Sequence, residues 1–171
     1  PKLRVRTAQK EQHDQWLYLP SLRKSTRIAS TQKSGSFMGT DFSYADMTKA
    51  DPKDYDYKIL KQSAQVNGVD CWKIEARPKT EKAARETGYL KTNIWVDKSR
   101  LIVLQTKAWV KAGKRLKYLL FEDIKKIDDV WVIHTLRAQT RKGKSVESET
   151  VMTYSDLKLN DPSVAEKDFS Q

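Results

Sequence analysis

From Gly88 onward the chain is a run of alternating apolar and polar segments, separated by links too short to do anything but reverse direction. The segments are residues 89–96, 101–110, 116–124, 130–141 and 145–159. Between them stand Asp97-Lys98-Ser99-Arg100, Lys111-Ala112-Gly113-Lys114, Ile127-Asp128-Asp129 and Lys142-Gly143-Lys144. A parallel crossover takes roughly a dozen residues or more, so each segment must run antiparallel to the next. Alternation with a period of two marks strands rather than helices. The prediction is an antiparallel β meander, which makes the chain mainly β.

The two faces of that meander are unusually alike. In residues 101–110 one face carries Ile102, Leu104, Thr106, Ala108 and Val110, yet the other holds Leu101, Val103 and Trp109. Residues 116–124 set Leu116, Tyr118 and Leu120 opposite Leu119 and Phe121, and residues 130–140 set Val130, Val132, Leu136 and Ala138 opposite Trp131 and Ile133. A sheet wetted on one side alternates cleanly, so partial apolarity on both sides predicts that each face is partly covered or lines a cavity.

Upstream, residues 55–66 and 69–77 flank Asn67-Gly68, the strongest short-range signal for a hairpin, because both central residues of a type I′ turn need positive φ. Residues 3–8, 15–20 and 22–30 read as three further strands, the last two broken at Pro20-Ser21, where proline cannot donate to a ladder. Ser43 followed by Asp46 has capping-box spacing and starts a short helix, which Pro52 stops within about two turns. Residues 78–87, PKTEKAARET, form a loop or one helical turn. At the end, Asp161 before Pro162 predicts a capped helical turn that runs on to Phe169.

Composition bounds the function by exclusion. A length of 171 residues suits one domain with a real core, and 38% hydrophobic against 32% charged residues is a globular balance. No apolar run approaches the ~18 residues that span a bilayer. The chain begins at Pro1 and enters a strand-like stretch at once, so any signal peptide is expected to have been removed or to lie outside this sequence. Cys71 stands alone, which excludes an intramolecular disulfide and a cysteine metal cage. His13 and His134 lack metal-site spacing, and no nucleophile elbow, phosphate loop or dinucleotide fingerprint is present. The adjacent carboxylates Glu122-Asp123 and Asp128-Asp129 would point to opposite faces of a strand, so shared proton chemistry is not expected. Neither a catalytic constellation nor a metal or cofactor site is predicted. The formal net charge of +11 remains to be explained. It attracts anions of any kind, or it keeps strand edges soluble.

The most distinctive residues lie between Trp16 and Asp46. They are Trp16-Leu17-Tyr18-Leu19-Pro20, the basic run from Arg23 to Arg27, and Phe37-Met38-Gly39-Thr40-Asp41-Phe42-Ser43-Tyr44 with Asp46. Fainter echoes follow at Cys71-Trp72-Lys73-Ile74-Glu75, at Trp95-Val96-Asp97 and from Asp161 to Phe169. In these residues the sequence resembles the LolA-like family of periplasmic outer-membrane lipoprotein-sorting proteins, in the branch associated with RND/MMPL-type transporters. The resemblance implies a mainly β (α+β) domain over residues 1–171: a curved antiparallel sheet forming an incomplete barrel, with short helices covering its concave face. It also implies a non-catalytic periplasmic role in carrying a lipid or acylated lipoprotein, with an RND/MMPL-type inner-membrane transporter as partner.

Under that reading Leu17, Leu19, Ile28, Phe37, Met38, Phe42 and Tyr44 supply the wall and lid of an apolar site, since thioethers and flat rings adapt to a greasy ligand. Each of these residues also makes an ordinary core side chain. Arg23 and Arg27, four residues apart on one face of a strand, are expected to dock an anionic head group, an anionic membrane or an acidic partner. The competing reading is a basic β module that binds nucleic acid or another polyanion. It ranks lower, because no aromatic motif for base stacking stands out.

Overall fold

The computed structural model of the chain describes residues 2–6, 14–19 and 21–164. Three short strands come first, β1 (Lys2–Arg6), β2 (Asp14–Leu19) and β3 (Lys24–Ile28), and form a small antiparallel sheet in that order. A second sheet follows, built from β4 (Tyr55–Val66), β5 (Val69–Pro78), β6 (Tyr89–Asp97), β7 (Val103–Val110), β8 (Leu116–Ile127), β9 (Val130–Lys142) and β10 (Ser145–Thr153). Its strands lie in strict chain order, all antiparallel, with β4 and β10 as unjoined edges. The result is a curved, incomplete barrel, as the resemblance implied, in the antiparallel order that the short links required. Helix α1 (Glu81–Thr87) and three single 3-10 turns complete the described elements.

Turn chemistry accounts for the register. Asn67 and Gly68 have φ of 49° and 81°, the type I′ pair between β4 and β5. The β8–β9 reversal is tighter than its sequence predicted, because β8 runs on to Ile127 and leaves Asp128 and Asp129 alone at φ of 48° and 62°. Aspartate tolerates the left-handed region through its short polar side chain, so no glycine is needed there. Two strands of the meander are shorter than the alternation implied, as is β3, which covers only Lys24–Ile28. Leu101 takes φ of 57° in the β6–β7 turn, so β7 begins at Val103, and β10 ends at Thr153.

Residues 78–87, left open between loop and helix, contain α1. Thr80 Oγ1 accepts from Ala83 N at 3.2 Å, and Gly88 closes the helix at φ of 75°. The helix expected after Ser43 shrinks to one 3-10 turn, Ala45–Met47, although its capping box is present: Ser43 N donates to Asp46 Oδ2 and Asp46 N to Ser43 Oγ. Pro52 opens a separate turn, Pro52–Asp54, capped by Asp51, instead of ending the first. Phe169, the end of the predicted closing helical turn, and His13 lie outside the described residues.

Register turns the ambiguous faces into two distinct surfaces. Ile59, Ile74, Ile94, Thr106, Leu119, Ala138 and Thr150 form one row across all seven strands. The next row on the same face is Tyr57, Ala76, Thr92, Ala108, Lys117, Thr140 and Ser148. Ala76, Ala108 and Ala138 are buried here, where the covering chain approaches and larger side chains would obstruct it. On the opposite face Lys73 lies 4.9 Å over Trp95, Lys91 4.4 Å over Trp109, and Arg141 4.7 Å over Tyr118. The aromatic content of that face is thus shielded by its own cations, with no second layer of chain needed.

Candidate functional site

Residues 30–54 cross one end of the concave face, and two aspartates hold them there. At their centre Ser36 and Ser43 bridge a miniature hairpin whose tip is a type I′ turn: Thr40 N donates to Phe37 O at 3.0 Å, with Met38 and Gly39 at φ of 52° and 77°. Phe42, only 1% exposed, anchors the hairpin, and Phe37 meets Tyr44 edge to face at 5.6 Å. Asp41 accepts from Thr140 Oγ1 at 2.6 Å, from Thr150 Oγ1 at 2.8 Å and from Ser148 Oγ, reaching the last two strands of the meander, β9 and β10. Partial burial pushes the Asp41 carboxyl up, but these three hydroxyls outweigh it and hold it below the ordinary carboxylate range.

Asp46 is the second clamp. One oxygen accepts from the Tyr89 hydroxyl at 2.6 Å; the other accepts from Lys117 Nζ at 3.0 Å and from Ser43 N at 2.7 Å. Both side chains of the Asp46–Lys117 pair are largely buried. Burial and the neighbouring Asp46 charge drive the Tyr89 phenol well above its ordinary value, so it stays a neutral donor at any physiological pH. These clamps fasten one end of the cover and leave the sheet beyond it open. There the floor is apolar and accessible: Tyr57 and Ile59 on edge strand β4 are 50% and 51% exposed, and Trp72, Ile74, Ile94, Leu119 and Phe121 are half-buried.

The residues predicted for wall and lid fall mostly in one neighbourhood. Leu17 and Ile28 are buried on the same face of the small sheet as Gln15, whose Nε2 donates to Tyr44 O at 2.7 Å and so ties that sheet to the cover. Leu19 continues this face at its outer end, half-buried. Phe42 is core, Phe37 and Tyr44 pair on the cover, and Met38 projects from the hairpin tip, 44% exposed. Arg23 and Arg27 do not share a strand face. Arg23 sits in the β2–β3 turn at φ of 48°, while Arg27 lies in β3 opposite Trp16; both are exposed.

The floor residues Ile59, Ile74 and Ile94 were absent from the expected site. Their signal was an isoleucine near the middle of three successive strands, but only register shows that the three align.

Groups with catalytic potential are committed elsewhere. The Cys71 thiol is buried, and desolvation followed by the charge of Asp97 pushes it above its ordinary value, away from the reactive thiolate. His134 Nδ1 lies 3.1 Å from Asp123 O within the β8–β9 hairpin. Glu122 pairs with Arg137, Asp123 with Lys125 and Asp129 with Lys126. Among the described residues no group of His, Cys, Asp and Glu is arranged to hold a metal ion, and no helix is long and apolar enough to cross a membrane.

A protein-family model described as "Uncharacterized protein" matches residues 2–171. Three solved structures are similar. One is an outer-membrane lipoprotein-sorting protein domain from Vibrio parahaemolyticus, 27% identical, TM-score 0.75, with 98% of this chain and 68% of that chain covered. Another is a DUF1329 family protein from Desulfovibrio piger, 28% identical, TM-score 0.78, with the same coverage of 98% and 68%. A LolA superfamily protein from Nitrosomonas europaea is 21% identical, with a TM-score of 0.62 over 92% of this chain and 66% of that one, and shows the fold alone. The chain therefore spans about two thirds of the length of these solved proteins. No curated protein matches it by sequence.

Proposed function

The chain belongs to the family whose model spans residues 2–171, a LolA-like family by its solved relatives, and on that premise we propose that it is a non-catalytic periplasmic carrier for the acyl chain of a lipid or lipoprotein. The observation that carries this reading is the accessible row on the concave face, Ile59, Ile74, Ile94, Thr106 and Leu119, apolar except for Thr106 and flanked by the clamped cover. Burial contributes about 0.8 kcal/mol per methylene, so about fifteen methylenes offset the roughly 4 kcal/mol of freedom lost on association and still leave micromolar affinity. Leu17, Leu19, Ile28, Phe37, Met38, Phe42 and Tyr44 form the wall and cover at one end of this site. Arg23 and Arg27 are assigned to the anionic head group of the cargo, where guanidinium suits phosphate or carboxylate. An RND/MMPL-type transporter is the proposed inner-membrane partner, on the strength of the sequence resemblance between Trp16 and Asp46.

The test is displacement of a fluorescent acyl probe. Wild type is expected to bind it at one main site with micromolar affinity or better. Ile59→Glu is the informative variant, because its side chain is half-exposed on an edge strand and a carboxylate there should not unfold the sheet. It should weaken probe binding at least about tenfold while the melting temperature holds, since a charge on the floor must be desolvated by the ligand. A folded wild type with no displaceable probe would remove the basis for the reading.

A further inference from the structure

We propose that the paired tips of the β7–β8 and β9–β10 hairpins form a polycationic edge that docks the protein on an anionic phospholipid surface. Register places the tips side by side at one end of the sheet, with Leu116 opposite Arg141 and Ser145 opposite Lys142. Together they carry Lys111, Lys114, Arg115, Arg141, Lys142 and Lys144 against the single carboxylate of Glu147. That carboxylate is taken by Arg115, in a pair that joins one hairpin to the other. Arg141 lies over Tyr118 and donates to Gln139. The ammonium groups of Lys111, Lys114, Lys142 and Lys144 are exposed and enter no ion pair among the described residues.

The edge is held in place. Val110 N donates to Arg115 O at 3.0 Å to close the first hairpin, and Lys111 N donates to Gly88 O at 2.8 Å, fixing its base against the end of α1. Polarity along the strands gives the surface an orientation. At the opposite end Lys98 pairs with Asp70, Arg100 with Asp97, Lys125 with Asp123 and Lys126 with Asp129, while Asp128 adds further negative charge. Unbalanced positive charge therefore collects at the two tips, on the end of the sheet that also carries the Asp46–Lys117 clamp of the cover.

The chemistry of the tips selects the partner. Their free cations are lysines, compact and mobile point charges that suit a fluid array of lipid phosphates, whereas the arginines that could grip one fixed carboxylate are already engaged. Between the lysines stand Ala112, Gly113 and Gly143, with no ring on which a base could stack.

The experiment measures co-sedimentation with vesicles of phosphatidylglycerol in phosphatidylcholine, and with phosphatidylcholine alone. Wild type should bind the anionic vesicles and release them as salt rises. The variant K111Q/K114Q/K142Q/K144Q should lose about a hundredfold or more in binding, since each lysine near an anionic surface contributes about a fivefold factor. The charge-matched control K61Q/K125Q/K126Q/K158Q, exposed lysines away from the tips, should stay within about threefold of wild type. Equal loss in both variants would show a response to net charge alone and overturn the docking edge. Absence of wild-type binding to anionic vesicles, or salt-resistant binding to RNA instead, would overturn it as well. The tip variant should keep its affinity for the acyl probe, so this result and the carrier reading stand or fall separately.

Discussion

At Asp97 four donors converge on one carboxylate that is 1% exposed: Ser99 N and Oγ at 2.8 and 2.7 Å, Arg100 N at 3.3 Å, and Arg100 Nε. Burial alone would raise its pKa, but the guanidinium and the serine donors overcome that and hold it at about 2. The folded value lies below the unfolded one of 3.8, so the stabilisation is fully present above about pH 5 and drains away as pH falls toward 2. A difference of this size corresponds to about 2 kcal/mol. Asp97→Asn should therefore be less stable than wild type by about that much at pH 7, and the gap should narrow below about pH 5 and close only below about pH 1.5 in urea titrations. Equal stability at neutral pH would show that the cluster contributes nothing. The sequence displayed Asp97 only as the start of a turn. Its burial against Cys71 on the neighbouring strand depends on the pairing of β5 with β6.

At the scale of the element, the 36–47 hairpin is held from outside more than from within. Removing the Asp46 carboxylate by Asp46→Ala leaves Lys117 buried without its partner, a change that costs about 3 kcal/mol. Hydrogen exchange should then rise across residues 36–47 before it rises in β7 and β8. If the two regions exchange together, the cover does not open as a unit. Gly39→Ala probes the turn alone: no atom lies within 4 Å of the added Cβ, so the expected loss of about 1 kcal/mol is the strain of φ at 77°. The capping box was legible in Ser43 and Asp46, yet its helix stops after one turn, because Asp46 is also committed to Tyr89 and Lys117 from distant strands. Likewise the β2–β3 turn absorbs Arg23, which strand alternation had placed on a face with Arg27.

For the whole molecule, the decisive property is the difference between the two faces of one sheet. Both faces contain aromatics and aliphatics, so residue counts do not separate them; Lys and Arg stems folded over Trp95, Trp109 and Tyr118 close one face to a greasy ligand, and the other is left as apolar floor. Lys91→Ala with Lys107→Ala should uncover Trp109, visible as greater quenching of tryptophan fluorescence by acrylamide, with little change in affinity for the acyl probe. A large gain in probe binding at the uncovered ring would mean that the cations, rather than curvature and cover, determine which face accepts cargo.

The sequence by itself determined the antiparallel order of the strands, because its links are too short for any other connection, and it determined the turns whose residues accept positive φ. It also marked residues 16–46 as the distinctive stretch. Tertiary structure alone decided that Ile59, Ile74 and Ile94 form one row, that Asp41 and Asp46 clamp the cover onto strands 43 to 109 residues away in sequence, and that Lys111, Lys114, Lys142 and Lys144 meet at two neighbouring hairpin tips. Strand order follows from local chain geometry. Register and long-range hydrogen bonds follow from which faces can be buried together, a property that no single segment carries.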